Sequence, residues 1–556
     1  MTAFLSSPVR AQRSAPELQI TFERNTEADR ATAEQIHEVL RKKVREIARA
    51  NGFILEGKGD GSPRVRSRVE AIPVPDYWGE VKPGPYRVGF TQRWIIDSTR
   101  RLPRPDKYRL RYRPVLLNVW YPAATASARQ PFVYDDYFEG AVRAARGNGA
   151  LVPYAQAIVG YQRSIAWHEL AGTPRDSTPS DLTARIEQLF RSLTHAVRDA
   201  PRRSGVLPVV VYTQGARGSM DDNVVLCEFL SSRGYLVIGS AFPEEDNATF
   251  HTNSTDESRQ RDIRRLLLEV QRTFGMTVQS VAVIGHSAGA QAMHLLASDP
   301  SAPVDAVLSL DTTQDYSMLS DRTWQFPQRT LTGREYVTMP FLYVAGPGAL
   351  FELADSLHHS ARTLLTVPGL GHNEFISQGV IRGHLSAGLA RDNAARRDTV
   401  QRHYRMLVDY MASWIDATRE VRAVLPPSPA PLRVTQVPVG ENAPTLGAGT
   451  ITTARELRHL FTTGDASTFA ERSLAARKAD GEAFPHSAFM MLLADAVRTG
   501  KGDRARTLYS ELIARDAGMR NILTAIESRA RLFERIGAQP EATEWRNIAA
   551  TLGGSR

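Results

Sequence analysis

Gly285-His286-Ser287-Ala288-Gly289 follows the apolar run Val281-Ala282-Val283-Ile284 and precedes the helix formers Ala290, Ala292, Met293 and Leu295. A serine hydroxyl is a weak nucleophile at neutral pH; it needs lifting clear of its neighbours and a base within reach. A strand that turns sharply into a helix does this, with glycines on both flanks leaving room for the turn. The pattern is that of a nucleophile elbow, and the chemistry it suits is acyl transfer. Placing Ser287 at a helix N-terminus also offers free backbone N–H groups to a developing oxyanion.

The partners of such a serine follow in the order acid, then histidine. Of the thirteen histidines, His372 in Pro368-Gly369-Leu370-Gly371-His372-Asn373-Glu374-Phe375 sits in a Gly-rich loop after the last expected core strand, where a general base belongs. His294, His358, His359 and His384 fall on expected helices and read as structural or surface residues. The loop Gly346-Pro347-Gly348-Ala349-Leu350-Phe351-Glu352 holds no Asp at a short distance from its strand, whereas Val307-Leu308-Ser309-Leu310-Asp311 sets a carboxylate at a strand's carboxyl end. Asp311 is therefore expected to orient the imidazole. The competing reading is a turn or helix-capping Asp, with Asp315, Glu352 and Asp355 as substitutes. For the oxyanion, one donor is expected from the N–H of Ala288. The second is expected from Thr213-Gln214-Gly215-Ala216-Arg217-Gly218, with Ala216 first and Gly215 next.

These residues need a scaffold. After short strands at 86–90, 94–96 and 115–122, strands at 207–212, 235–239, 278–284, 306–310, 340–345 and 362–366 alternate with helices at 222–232, 257–274, from 287, and 398–417. That rhythm predicts an α/β fold, a mostly parallel, doubly wound sheet covered on both faces and opening with a β-meander. The chain divides by texture into a 1–79 extension with an amphipathic helix at 27–50 and an 80–425 catalytic domain in which 134–200 is a helical insertion. A Pro-rich linker follows at 426–449, then an all-helical 450–556 region. Gly502-Asp503-Arg504-Ala505-Arg506 and Gln539-Pro540-Glu541-Ala542 recur about 37 residues apart in the helical region, a spacing similar to tetratricopeptide repeats. The region reads equally as a docking or self-association module and as a stabilising cap.

The 556 residues carry a net charge of +9, but only seven of the 69 cationic residues are Lys and the Arg are scattered, which argues for a solvated surface and against a nucleic-acid partner. Cys227, the single cysteine, excludes an internal disulfide and falls on a buried-looking helix face. No apolar run approaches the eighteen or so residues of a membrane span. No ligand spacing points to zinc, and no Walker or dinucleotide fingerprint is present, so no cofactor is expected. Residues 1–12 lack a basic n-region, which places the chain as written in the cytoplasm. With an upstream start, Val9-Arg10-Ala11 before Gln12 would resemble a cleavage site and the enzyme would be exported.

Gly84-Pro85-Tyr86-Arg87-Val88-Gly89, Val119-Trp120-Tyr121-Pro122, the Gly-His-Ser-Ala-Gly elbow, Leu310-Asp311 and Gly371-His372-Asn373-Glu374-Phe375 together resemble the platelet-activating factor acetylhydrolase branch of the α/β-hydrolases over residues 80–415. The resemblance implies an acid after the sixth strand, in agreement with Asp311, and hydrolysis of short or truncated acyl esters, with lipid degradation as the family's setting. The chain departs from it at Ala288, Ala290 and Thr213-Gln214-Gly215, in the N-terminal extension and in the helical tail. The expectation is a serine hydrolase of small-molecule carboxylic esters. A catalytically silent scaffold whose tail carries the interaction, and an amide, peptide or polyester hydrolase on the same fold, are the alternatives.

Overall fold

The computed structural model describes residues 53–56, 64–67, 74–102, 108–124, 131–216, 218–243, 256–274, 280–312, 329–349, 351–390, 392–420, 427, 429–442, 448–479, 481, 484, 486–535 and 539–553. The helix expected at 27–50 and Asp315 lie outside them. Strands β1 (Phe53–Glu56) and β2 (Arg64–Ser67) form a small antiparallel pair. The main sheet is built from β3 (Val88–Arg101), β4 (Tyr112–Pro122), β5 (Pro131–Val133), β6 (Leu193–Arg198), β7 (Val209–Thr213), β8 (Leu236–Gly239), β9 (Val281–His286), β10 (Ala306–Leu310), β11 (Phe341–Ala345), β12 (Arg362–Thr366) and β13 (Arg433–Val437). Its order is β13-β12-β11-β10-β9-β7-β8-β4-β3-β6-β5. From β8 to β12 the neighbours are parallel, β4 runs against β3 and β8, and β13 runs against β12.

Buried on both faces, the central strands are continuous apolar runs, and their period of two divides them between two cores. Val210, Tyr212, Ala282 and Ile284 face one core, and Val209, Val211, Val281 and Val283 the other. The first core takes helices α1 (Asp136–Ala145), α2 (Leu151–Ala171) and α3 (Ser180–Arg191), all lying between β5 and β6, and α4 (Val224–Ser232). The second takes α5 (Asp256–Phe274), α6 (Ala288–Ala297) and the short α7 (Glu352–Ser356). Helices α8 (Ser377–Ser386) and α9 (Ala394–Arg419) return to the first.

Two sequence readings are corrected. The strands expected at 86–90 and 94–96 are one long strand, β3. Its polar Gln92 is satisfied inside the fold, donating to Asn118 Oδ1 at 2.9 Å and to the Tyr137 carbonyl at 2.8 Å. The stretch 426–449, read as linker, contains β13, which closes the sheet against β12 with Leu432 and Val437 buried. Before residue 80, Tyr77 and Trp78 are also buried in the first core. Helices α10 (Ala448–Thr463), α11 (Ala466–Ala479), α12 (His486–Arg498), α13 (Gly502–Arg515), α14 (Asn521–Arg535) and α15 (Gln539–Gly553) enclose a third core of their own, including Phe469, Leu493, Leu508, Ile526 and Trp545. No helix among the described residues is long and apolar enough to cross a membrane.

Two buried polar groups pin the sheet's antiparallel end. Asp262 of α5 accepts from both Arg113 (2.6 and 2.9 Å) and Arg100, and Arg100 also reaches Asp97 at 2.7 Å. The side chains of Arg113 and Asp262 are only 1% and 0% exposed. Removing the carboxylate that both buried guanidinium groups share leaves their charge poorly compensated, so Asp262→Asn is expected to lower unfolding free energy by about 3–5 kcal/mol in chemical denaturation. Glu228 of α4, also fully buried, accepts from Trp78 Nε1 and the His195 N–H, both at 3.2 Å, and from the Tyr137 hydroxyl. Burial outweighs these donors and pushes its pKa up to about 7. A carboxyl raised in the folded state binds a proton there before the unfolded chain does, so its contribution is greatest at low pH and is lost as pH rises from the ordinary glutamate range to about 7. Wild type minus Glu228→Gln stability, measured by denaturation across that window, should fall with increasing pH.

Candidate active site

Ser287 lies between the end of β9 and the start of α6 with φ +53° and ψ −118°, a conformation that side-chain-bearing residues seldom adopt. The elbow persists because backbone packs on backbone around it. A β-carbon on Gly289 would lie 2.4 Å from the Thr213 carbonyl oxygen and 2.6 Å from that of Gln214, and one on Gly285 would lie 2.4 Å from the Ala290 nitrogen. No side chain fits at either position. The Ser287 N–H donates to the Leu310 carbonyl at 3.0 Å, tying the elbow to the end of β10.

Asp311 follows β10 directly and also has positive φ, +44°, with its N–H on the Val344 carbonyl at 2.7 Å. That geometry turns its carboxylate toward the loop after β12. His372 opens a 3-10 turn there, His372–Glu374, and its Nδ1 lies 2.6 Å from Asp311 Oδ2. The carboxylate is buried and the imidazole open: the Asp311 side chain is 6% exposed and that of His372 46%. With Nδ1–H held by the carboxylate, Nε2 is the imidazole atom positioned to take and return a proton. The place beside His372 is filled by Asp311; Glu352 and Asp355 lie on α7.

Contacts around this pair include several that the sequence did not signal. His286, fully buried beside Ser287, has its Nε2 3.0 Å from the His372 carbonyl, and its ring centroid is 4.6 Å from that of His372. A carbonyl only accepts, so Nε2 carries the hydrogen. Burial, and secondarily the neighbouring His372, holds the His286 pKa well below the usual histidine value, so the ring is neutral. Asn373 donates to Glu169 Oε2 of α2 at 2.7 Å, which brings the helical insertion onto the histidine loop. Burial raises the Glu169 pKa above the usual carboxylate range.

Ala288 is the first residue of α6, so its N–H has no partner within the helix. Gly215 passes close to Ser287: a β-carbon there would lie 3.2 Å from Ser287 Cβ and 3.1 Å from His286 Nδ1. Ala216 follows it on an exposed turn closed by the Gly218 N–H on the Gly215 carbonyl at 3.1 Å. Two histidines read from the sequence as structural lie on helices. His294 is buried on α6 with Nδ1–H on the Ala290 carbonyl at 2.7 Å, and burial pushes its pKa down to about 4. His384 is on α8. Cys227 is buried within α4.

Within the sheet, the run β3-β4-β8-β7-β9-β10-β11-β12, with β4 alone running against both neighbours and an elbow after β9, is a recognised architecture. The chain has the α/β-hydrolase fold. No protein-family model and no curated protein matches the chain. Solved structures similar to it include a ferulic acid esterase from Streptomyces cinnamoneus, at 18% identity and TM-score 0.42, over 64% of this chain and 98% of that one. Est1E from Butyrivibrio proteoclasticus is similar at 14% identity and TM-score 0.25, over 33% of this chain and 86% of that one. An acylaminoacyl peptidase from Pyrococcus horikoshii is similar at 13% identity and TM-score 0.28, over 39% and 38% respectively.

The packing at Gly289 admits a direct test. Gly289→Ala forces a methyl group against two main-chain carbonyls, which must separate for it to fit. The expected result is a loss of about 1–3 kcal/mol in stability, together with slower labelling of Ser287 by a fluorophosphonate.

Proposed function

We propose that the protein is a serine hydrolase of carboxylic esters with short or truncated acyl groups, working through an acyl-enzyme on Ser287, His372 and Asp311. The observation that carries the reading is the 2.6 Å contact of His372 Nδ1 with Asp311 Oδ2 beside a serine held at φ +53°. His372 Nε2 removes the proton as Ser287 Oγ attacks the carbonyl carbon, and Asp311 stabilises the imidazolium that forms. The N–H of Ala288, with that of Ala216 or Gly215, holds the oxyanion. His372 then protonates the leaving alcohol, water adds to the acyl-enzyme by the same route, and the acid product leaves.

The position of Asp311 after β10, the sixth strand of the run that begins at β3, supports the resemblance to the platelet-activating factor acetylhydrolase branch. The helical region from α10 onward is proposed as a docking or self-association module, tetratricopeptide-like in its spacing.

The test is hydrolysis of p-nitrophenyl esters from acetate to dodecanoate by wild type and three variants. Ser287→Ala and His372→Ala should lose about 10³–10⁶ in kcat/KM and Asp311→Asn about 10²–10⁴, with activity greatest on the short chains. An Asp311→Asn enzyme near wild type would move the acid elsewhere. Wild type inert to both esters and phosphonates would favour a silent scaffold, and faster turnover of aminoacyl amides than esters would favour a peptidase.

A further inference from the structure

We infer that Arg259, on α5 in the same core as the helix α6 that Ser287 precedes, is the positioning residue of the oxyanion loop. The inference rests on the acyl-transfer reading above. Arg259 lies in the first turn of α5 and is 1% exposed. Its Nη1 donates to the Gln214 carbonyl at 2.8 Å. Gln214 immediately precedes Gly215 and Ala216, the two candidates for the second oxyanion donor.

The Gln214 carbonyl is held from two sides. One is Arg259; the other is the elbow, since this oxygen would lie 2.6 Å from a β-carbon on Gly289. The side chain of Gln214 is fixed as well, its Nε2 donating to the Ala241 carbonyl at 2.9 Å. A trans peptide is planar, so fixing the Gln214 carbonyl fixes the Gly215 N–H, which points the opposite way. The following peptide is set by the Gly218 N–H on the Gly215 carbonyl at 3.1 Å. Both candidate N–H groups thus take their direction from a short segment whose anchored end is the carbonyl bound by Arg259.

Arginine suits this position because its planar fork keeps direction when buried. Here the guanidinium carbon lies 5.6 Å from the centroid of the Phe242 ring. Its charge is also felt by the buried Asp222 carboxyl, whose position beside Gly218 puts it on the same loop. A lysine would supply charge without the fork, and a methionine would supply bulk alone.

Arg259→Met and Arg259→Lys separate these contributions. With concentrations set by fluorophosphonate titration of Ser287, so that misfolded enzyme is not counted, kcat, KM and the inhibition constant of an alkyl boronic acid are measured on a short p-nitrophenyl ester. The boronate forms a tetrahedral adduct on the serine and occupies the oxyanion site as the transition state does. The expected result for Arg259→Met is a fall in kcat of about 10–100-fold with KM within about threefold, and a matching weakening of the boronate. Arg259→Lys should recover part of both. An unchanged boronate constant, or a kcat within twofold of wild type per titrated serine, would overturn the inference while leaving the ester hydrolase reading intact. Ester turnover by Ser287→Ala equal to wild type would instead remove the acyl-enzyme reading itself.

Discussion

The geometry of the site depends on one close approach, the packing of the α6 N-terminus against the end of β7. Parallel pairing sets Thr213 opposite Gly285 and Leu310 opposite His286, so the three strands end at the same level. At that level Gly289 lies against the carbonyls of Thr213 and Gln214 with no room for a β-carbon. The contact draws the loop after β7 over the serine and holds the serine in its unfavourable backbone conformation. The carboxyl edge of a parallel sheet is where loops converge, and here the convergence is tightened to backbone contact.

The loop after β7 and the loop after β12 are separate in sequence but joined below the surface. Ser377 and Gln378, at the start of α8, donate from their N–H groups to Asn223 Oδ1 at 3.0 Å and to the Asp222 carbonyl at 3.1 Å, and Tyr404 donates to Asn223 Oδ1 at 2.7 Å. Residues 222–223 follow the loop after β7, and residues 377–378 follow the histidine turn. A displacement of either loop therefore strains the other. Asp221 and Asp222 are both buried at this junction, and burial raises the pKa of each. The insertion between β5 and β6 adds a brace through Glu169 and Asn373, so those helices hold the histidine turn from outside the sheet.

Much of this was legible in the sequence because the central strands are continuous apolar runs with sharp ends, and 306–310 and 362–366 coincide with β10 and β12. Ser287, Asp311 and His372 were visible for the same reason: each sits immediately after, or in the loop beyond, such a run. The β3 strand was split because Thr91-Gln92-Arg93 interrupts the apolar pattern, and Gln92 is accommodated only through partners on β4 and α1 that lie 26 and 45 residues away. β13 was hidden by the adjacent prolines and by having one buried residue among its five. Arg259 carried no local signal at all. It is one of several arginines on α5, and its contact with Gln214 spans 45 residues.

The position of Asp311 explains why the histidine loop needs so much support. A histidine after β12 that meets a carboxylate after β10 must cross the end of β11, a span of two strand spacings, or about 10 Å. The loop from Val367 to His372 can cover it, but only as an extended, turning path, and Gly369 takes φ +75° along the way. Left to itself such a loop would sample many conformations, and the imidazole would lose its contact with Asp311. Each part of it is instead tied down. His403 Nδ1 lies 2.6 Å from the Pro368 carbonyl, Arg396 donates to the Gly369 carbonyl at 2.7 Å, and Glu374 accepts from the Gly371 N–H at 2.6 Å. His286 then fixes the carbonyl of His372 itself, from the residue that immediately precedes Ser287. Burial keeps His286 neutral, so the ring whose centroid lies 4.6 Å from that of His372 adds no second positive charge beside it.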